Sequence, residues 1–531
     1  MLSPRASFSL TRAAYVLMRE GVVTALPDEG APAPVRLAKA IARVIERRRA
    51  KDQAQSENLS KALNRLGPSW VKLGQFLATR PDIVGASIAL DLELLQDRME
   101  PFGAEQAKEM VAATLGQDVK EIFSSFGPAI AAASVAQVHK ATIKDQSDGT
   151  GGETVREVAV KVIRPGVRDR FNRDLATFYS AARLMEKHIE LAQRLQPVLV
   201  VDMLATSAKM EMDLRLEAAA FSEMGENTAG DDGFLVPTVD WERIGRDCVT
   251  MDWVDGTKLT HVDVLTQAGH DLPAIANVLN QSFLRHVLRD GFFHADMHPG
   301  NLFVDAESNI VAVDLGIAGR LGKAERRYLA EILYGFITRD YMRVAEVHFE
   351  AGYVPDHHDV ASFAQAIRAI GEPIHGQEAD KVSMARLLTL LFEVTELFDM
   401  KTQPQLLLLQ KTMVVVEGVA RRLDPKFNMW KSAEPVVAHY VQRLIGPLGK
   451  IEEARDGLHA MGRLVQLAPD MATRAEKLSH EIDAMTRDGV RLDKPTIEAI
   501  GKAEARHSRS GRVALWIIAL GVVALVWKQF V

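Results

Sequence analysis

The sequence predicts an α+β fold in two lobes: a small lobe around a short antiparallel sheet, and a larger lobe that is mostly helical. Three observations carry this. The apolar period is helical up to about residue 125, alternates strand-like from about residue 127 to 163, and is helical again beyond residue 322. Val158-Ala159-Val160-Lys161 reads as an apolar strand that delivers one lysine. Asp296 is followed five positions later by Asn301, and Asp314 stands at the end of the apolar strand Val311-Ala312-Val313. An acid beside the acceptor group, an amide reaching a magnesium ion, and a second acid bridging metal to phosphates is the order found in kinase-like phosphotransferases. The expected architecture is therefore a two-lobed protein-kinase-like fold.

The elements follow in order. Residues 1–125 read as a helical N-terminal extension. Within it Arg5, Arg12 and Arg19 occur without an acid, a composition shared by transit peptides. Leu10, Ala13, Ala14, Leu17 and Met18 fall at helical spacing, which a mature amphipathic helix explains as well. Around residues 36–49, Arg36, Lys39, Arg43 and Arg47 form one stripe, and Leu37, Ile41, Val44 and Ile45 the other. Such a helix suits either an anionic lipid surface or a solvated face packed on the core. Leu66-Gly67-Pro68 breaks the chain before a helix that carries Lys72, Gly74 and Gln75.

Residues 126–256 read as the small lobe, with a hairpin from Ser134–Ile143 and Thr154–Ile163 around the polar turn Asp145–Gly152. The long interval from Lys161 to Glu217 requires a helical insertion, and Cys248–Trp253 is a further strand. Residues 257–450 form the large lobe, in which a helix over 272–292 leads into the Asp296 loop. Residues 451–505 are a helical C-terminal extension, and 506–531 a basic flank and membrane tail.

That tail, Val513 to Trp527, lacks a polar side chain. As a helix, Val513 to Val531 spans about 28 Å, close to one hydrocarbon thickness. Trp516 and Trp527 lie near its ends, and Lys502, Arg506, Arg509 and Arg512 precede it, as in a cytoplasmic flank. A buried core helix is the alternative.

Composition narrows the function. Lys and Arg number 64 and Asp and Glu 70, a net charge of −6, which argues against general nucleic-acid binding. The single cysteine, Cys248, excludes an internal disulfide and suits a reducing compartment.

The chemistry concentrates at few residues. A lysine within an apolar strand is costly to bury without an anion. ATP phosphates and a carboxylate, expected from Glu217, supply one for Lys161. Asp296 is the expected catalytic carboxylate, and Asn301 and Asp314 the magnesium ligands. A rival reading makes His294, Asp296, His298 and Asp314 a transition-metal cluster.

The loop expected over the phosphates, Ile130-Ala131-Ala132-Ala133-Ser134-Val135-Ala136-Gln137-Val138, carries alanines where kinases carry glycines. Its backbone approaches phosphate less closely, and Ser134 offers a hydroxyl. Ala295 replaces the arginine usual before the catalytic Asp, and no Ala-Pro-Glu anchor follows Asp314.

With the K-x-G-Q motif at Lys72, Gly74 and Gln75, the alanine-rich loop at Ala131–Ser134, the E-x-D motif at Glu211 and Asp213, the loop His294–Asn301 and the text from Asp314 through Arg339-Asp340-Tyr341, the chain resembles the UbiB family of atypical kinase-like proteins linked to ubiquinone biosynthesis. The resemblance covers roughly residues 8–450, and Leu315 departs from the Phe or Cys of many relatives.

It implies that Lys72 and Gln75 face Glu211 and Asp213 across the nucleotide as a charge-assisted clasp. It also implies ATP and Mg2+ as cofactors, and ATP hydrolysis or unorthodox phosphotransfer as the activity. The bilayer, polyprenylated quinone precursors and other ubiquinone-biosynthesis proteins are the implied partners. The implied site of action is the bacterial inner membrane with the catalytic part cytoplasmic, the mitochondrial inner membrane being the alternative. A kinase for a small molecule or lipid hydroxyl, and a nucleotide-gated scaffold without catalysis, remain rival functions.

Overall fold

The computed structural model describes residues 4–22, 55–78, 99–146, 153–188, 196–376 and 404–445, with short pieces between them. Residues 1–444 form one compact unit. The expected C-terminal extension and tail lie outside the described residues. Among those described, no helix is long and apolar enough to cross a membrane.

Helices α1 (Pro4–Arg19), α2 (Gln55–Leu66) and α3 (Pro68–Ala78) build the extension. The expected break falls at Gly67, whose φ of +110° ends α2, and Pro68 opens α3. Most of the basic segment at 36–49 lies outside the described residues. Lys39 within it is only 2% exposed, which corrects the picture of a wholly outward basic stripe.

Next come α4 (Ala104–Leu115) and α5 (Val119–Ile122). The small-lobe sheet follows, with β1 (Ser125–Ala132), β2 (Ala136–Gln146), β3 (Glu153–Ile163), β5 (Val239–Ile244) and β6 (Cys248–Asp252) in the antiparallel order β1-β2-β3-β6-β5. The hairpin is where the sequence placed it. The structure corrects the loop, however: Ile130, Ala131 and Ala132 belong to β1, and Ala136 to Val138 to β2, leaving Ala133–Val135 as the tip. Strand β1 contains Gly127, Pro128 and alanines, all poor strand formers. It holds as a bulged edge strand, where a proline costs no ladder bond.

Alternation in β3 sorts its side chains. Val158, Val160 and Val162 join Ile143, Val111 and Phe123 in a core under α4 and α5. The other face packs on the expected insertion, α6 (Val167–His188) and α7 (Pro197–Glu211), and on α8 (Leu214–Thr228).

In the larger lobe β4 (Phe234–Leu235), β10 (Ile310–Ala312), β9 (Leu302–Val304) and β7 (Thr257–Lys258) form one sheet in that order, and β8 (Phe292–His294) pairs with β11 (Ala318–Arg320). Helix α9 covers Val262–Gln267, and α10 Leu272–Arg285. The helix expected to reach residue 292 ends earlier, in a π-turn over His286–Asp290 closed by Gly291 at φ +68°.

Helices α11 (Lys323–Thr338), α12 (Tyr341–Glu350), α13 (Val360–Gly376), α14 (Pro404–Leu423) and α15 (Met429–Ile445) complete the described chain. Leu279 and Phe283 of α10 share a core with Val416 and Ala420 of α14. The fold mixes helix and sheet and is mostly helical. Helix α8 is tied to the large lobe at its far end. Arg289 donates to Asp231 at 2.6 and 2.9 Å and to the Asn227 carbonyl at 2.8 Å, and Arg320 pairs with Glu223 at 2.7 Å.

Candidate functional site

Strand β3 lies between β2 and β6, with Lys161 opposite Val138 and Val249. Its Nζ donates to Glu217 Oε1 at 2.6 Å and to Asp314 Oδ2 at 3.1 Å. The sequence pointed to the first partner, and the structure adds the second. Glu217 occupies the first turn of α8, which Asp213 caps by accepting from the Arg215 amide. Asp314 follows β10, and its Oδ1 accepts from the Gly316 amide at 2.9 Å. The Lys161 and Glu217 side chains are 13% and 6% exposed, whereas Asp314 keeps 41%, so its carboxylate faces the cleft.

Burial opposes the charge on Lys161, but Asp314 and Glu217 outweigh it and hold the ammonium above its usual value. Partial loss of solvent opposes ionisation of Asp314, and Lys161 with the Gly316 amide more than compensates, keeping that carboxyl below the usual range. Glu217 carries the excess: burial pushes it up to about 7 against the pull of Lys161.

The Asp296 loop is braced from below. Asn301 Nδ2 donates to Asp296 Oδ2 at 3.1 Å and to its carbonyl at 3.2 Å. The Val313 amide donates to the Asn301 carbonyl at 3.0 Å, joining this loop to the one bearing Asp314. Two supports were not read from the sequence. Thr412 of α14 donates to the Ala295 carbonyl at 3.1 Å, and the Ala295 amide bonds to Ile317. Thr412 is distant in sequence and offers no local signal.

The metal-cluster rival finds no support. His294 is buried, its Nδ1 accepts from the Asp296 amide at 3.3 Å, and burial lowers its pKa. His298 is exposed and takes the Gly300 amide at 3.1 Å. Among the described residues these groups do not converge as a set of metal ligands.

The alanine-rich loop is fastened at its back. Arg164 Nε donates to the Ala133 carbonyl at 2.9 Å, its amide bonds to Val135, and the Met99 amide bonds to Ala132. Ser134 is fully buried. Gln137, 1% exposed, is corrected from a phosphate-side residue: its Oε1 accepts from the Phe102 amide at 2.9 Å, and its Nε2 contacts His139. Ala136 is buried in the core, while Ile130 and Ala131 are exposed at the sheet edge.

Helix α3 brings Lys72 onto Glu211, both partly enclosed, so this half of the expected clasp forms. The other half differs. Asp213 binds Arg215 through both carboxylate oxygens, at 2.9 and 2.7 Å, which lowers its pKa. Gln75 is half-buried one turn beyond Lys72. Gly74 has a packing reason: a Cβ there would overlap Leu95 Cδ1 and stand 2.7 Å from Leu63 Cδ1.

The donor set fits a hard cation and phosphate. An accessible carboxylate and a nearby amide offer oxygen ligands, and a buried ammonium supplies positive charge.

The ABC1 atypical kinase-like domain matches residues 94–348, and the UbiB helical domain matches 367–428. A "Probable protein kinase UbiB" of Marinobacter nauticus is 34% identical over 98% of this chain and 93% of its own. Those of Aliivibrio salmonicida and Histophilus somni are 34% and 37% identical, over 88% and 75% of this chain and 87% and 73% of theirs. A solved complex of a Mycobacterium tuberculosis protein with erythromycin is similar at 24% identity and TM-score 0.49, over 73% of this chain and 98% of that one.

Proposed function

The chain belongs to the UbiB family of atypical kinase-like proteins, and from that premise we propose that it is an ATP-dependent phosphotransferase or ATPase serving ubiquinone biosynthesis at the bacterial inner membrane. The observation that carries this is Lys161 held between Glu217 and Asp314, with Asp296 and Asn301 joined to the same loops.

In this reading Glu217 aims Lys161 at the nucleotide phosphates. Asn301 and Asp314 would hold Mg2+, which when bound neutralises phosphate charge. Asp296 orients the attacking hydroxyl or water and accepts its proton, while Asn301, donating to Asp296, keeps that carboxylate in place. The tip at Ala133–Val135, fixed by Arg164, covers the phosphates in this reading, and carries side chains where glycine would allow a closer backbone approach.

Helix α3 is pinned by Lys72 to Glu211, and in this reading it is the cover over the face on which a polypeptide would dock. This supports turnover on a small or membrane-held acceptor, with quinone precursors made accessible to other enzymes. The tail at 513–531 is proposed to anchor the chain.

Phosphate release by purified protein with and without quinone-containing membranes, beside the lipid profile of a deletion strain, tests the proposal. Release stimulated by such membranes and loss of ubiquinone in the strain are expected. No release with quinone loss favours a scaffold, and stoichiometric labelling of a soluble hydroxyl compound favours a small-molecule kinase. A chain truncated before residue 513 that still sediments wholly with membranes removes the anchor from the tail.

A further inference from the structure

The loop between α12 and α13 and the segment before α14 bring three ligand-bearing side chains together, away from the cleft residues. His357 Nε2 lies 3.8 Å, and His358 Nε2 3.4 Å, from Asp399 Oδ2. The two imidazole rings stand 4.1 Å apart. Among the described residues, this is the group of His, Cys, Asp and Glu whose ligand atoms all fall within 4.8 Å of one another.

The His358–Asp399 spacing already matches that of two zinc ligands, and His357 needs to close in by a few tenths of an ångström, which its exposed side chain allows. A separation of 3.8 Å is beyond an N–H···O bond and 3.4 Å is at its limit. Ligand atoms at about 2.0–2.2 Å around a tetrahedral zinc ion are about 3.3–3.6 Å from one another.

The ligands stand on fixed backbone. The His358 amide bonds to the Pro355 carbonyl at 3.2 Å, and Asp359 caps α13 through the Ser362 amide at 2.8 Å. The His358 ring lies 5.3 Å from Phe398, which meets Phe363 at 5.0 Å within the core shared by α12 and α13. Asp399, next to Phe398, holds φ +48°, a left-handed conformation that aspartate tolerates better than most residues.

We propose that His357, His358 and Asp399 bind a borderline divalent transition ion, zinc foremost, with water completing the shell. Two imidazoles and one carboxylate suit zinc and its neighbours, whereas magnesium prefers oxygen donors and keeps its waters. The ion joins the 355–359 loop to the 397–400 segment, partners 41 residues apart in sequence. It is therefore a staple for the helical part of the large lobe, separate from the oxygen-rich pair Asn301 and Asp314.

The test uses the full-length protein without a polyhistidine tag, stripped with EDTA and free of nucleotide. Zn2+ is titrated against a chromogenic indicator, and Co2+ is followed by visible absorption. The variants are His357→Gln and Asp399→Asn, whose side chains are 66% and 70% exposed, so that the fold survives. The parent is expected to bind equimolar zinc, melt at higher temperature when loaded, and give the absorption of tetrahedral cobalt. Excess Mg2+ should not displace the ion. Each variant should bind more weakly by more than the roughly 10–100-fold that loss of an outer partner costs. Equal zinc affinity, melting shift and cobalt spectrum in parent and variants overturns the proposal. So does the absence of equimolar binding to the parent, or zinc binding that Asp314→Asn removes while His357→Gln retains it.

Discussion

Replacing Glu217 by Gln separates charge from packing in the cluster of Lys161, Glu217 and Asp314. Glu217 and Asp314 share one ammonium at 2.6 and 3.1 Å. Burial, reinforced by the charge on Asp314 and opposed by Lys161, raises the Glu217 carboxyl from the usual 4.5 to about 7. A group whose folded value lies above its unfolded one contributes stability that is complete below the unfolded value, and that is lost as pH rises through the folded one. The interval from 4.5 to about 7, at about 1.36 kcal/mol per decade, bounds this loss at about 3 kcal/mol.

Gln cannot ionise and escapes the loss. Between about pH 5 and about pH 8 the parent should therefore lose up to about 3 kcal/mol relative to Glu217→Gln. Lys161 keeps Asp314, so the variant avoids the roughly 3–5 kcal/mol cost of an orphaned buried charge. Urea unfolding of detergent-solubilised protein across this range, without nucleotide or magnesium, measures the difference. Parallel pH curves for parent and variant would refute the reasoning. A uniform loss of about 3–5 kcal/mol would refute it too, because Glu217 would then be the indispensable counter-ion throughout.

Three further outcomes are expected. Asp314→Asn abolishes the magnesium-dependent part of nucleotide binding, since a hard cation loses its charged ligand; calorimetry giving equal magnesium dependence in both proteins contradicts this. Asp296→Asn preserves binding and lowers turnover by roughly 10²–10⁴-fold, the range for a positioned base, so an unchanged turnover removes Asp296 from that role. Gly74→Ala crowds Leu63 and Leu95 and costs about 1–3 kcal/mol, read as a lower melting temperature, which a parent-like value would contradict.

Much of the site was legible because the chemistry demands particular residue types at set spacings. Lys161 pairs with Glu217 and Asp314, and Asn301 with Asp296, residues that the sequence singles out by type and spacing. What escaped depends on tertiary context. Strand β1 is built from Gly, Pro and Ala, which carry no strand signal, and only pairing with β2 makes it one. Gln137 reads as a loop amide until Phe102 is seen to take both ends of its side chain, and His139 to meet its nitrogen. Asp213 sits two residues from Glu211 and was expected to share its partner, but the start of α8 claims it as a cap. Leu315 is buried between the lobes' packed faces, consistent with a change that touches packing alone.

The fastening of α8 bears on how such a protein is switched. Many kinases silence themselves by rotating the helix that carries the glutamate outward, parting it from its lysine. Here the far end of that helix is moored through Glu223 and Asp231 to arginines of the opposite lobe. Outward rotation would shear both moorings at once, so α8 is held where Glu217 stands beside Lys161. Under the function proposed above, control passes to the cover, and lifting α3 off Glu211 would open the site without disarming it. Hydrogen exchange would record this as slow amides over 214–228 in every nucleotide state, with changes confined to 68–78.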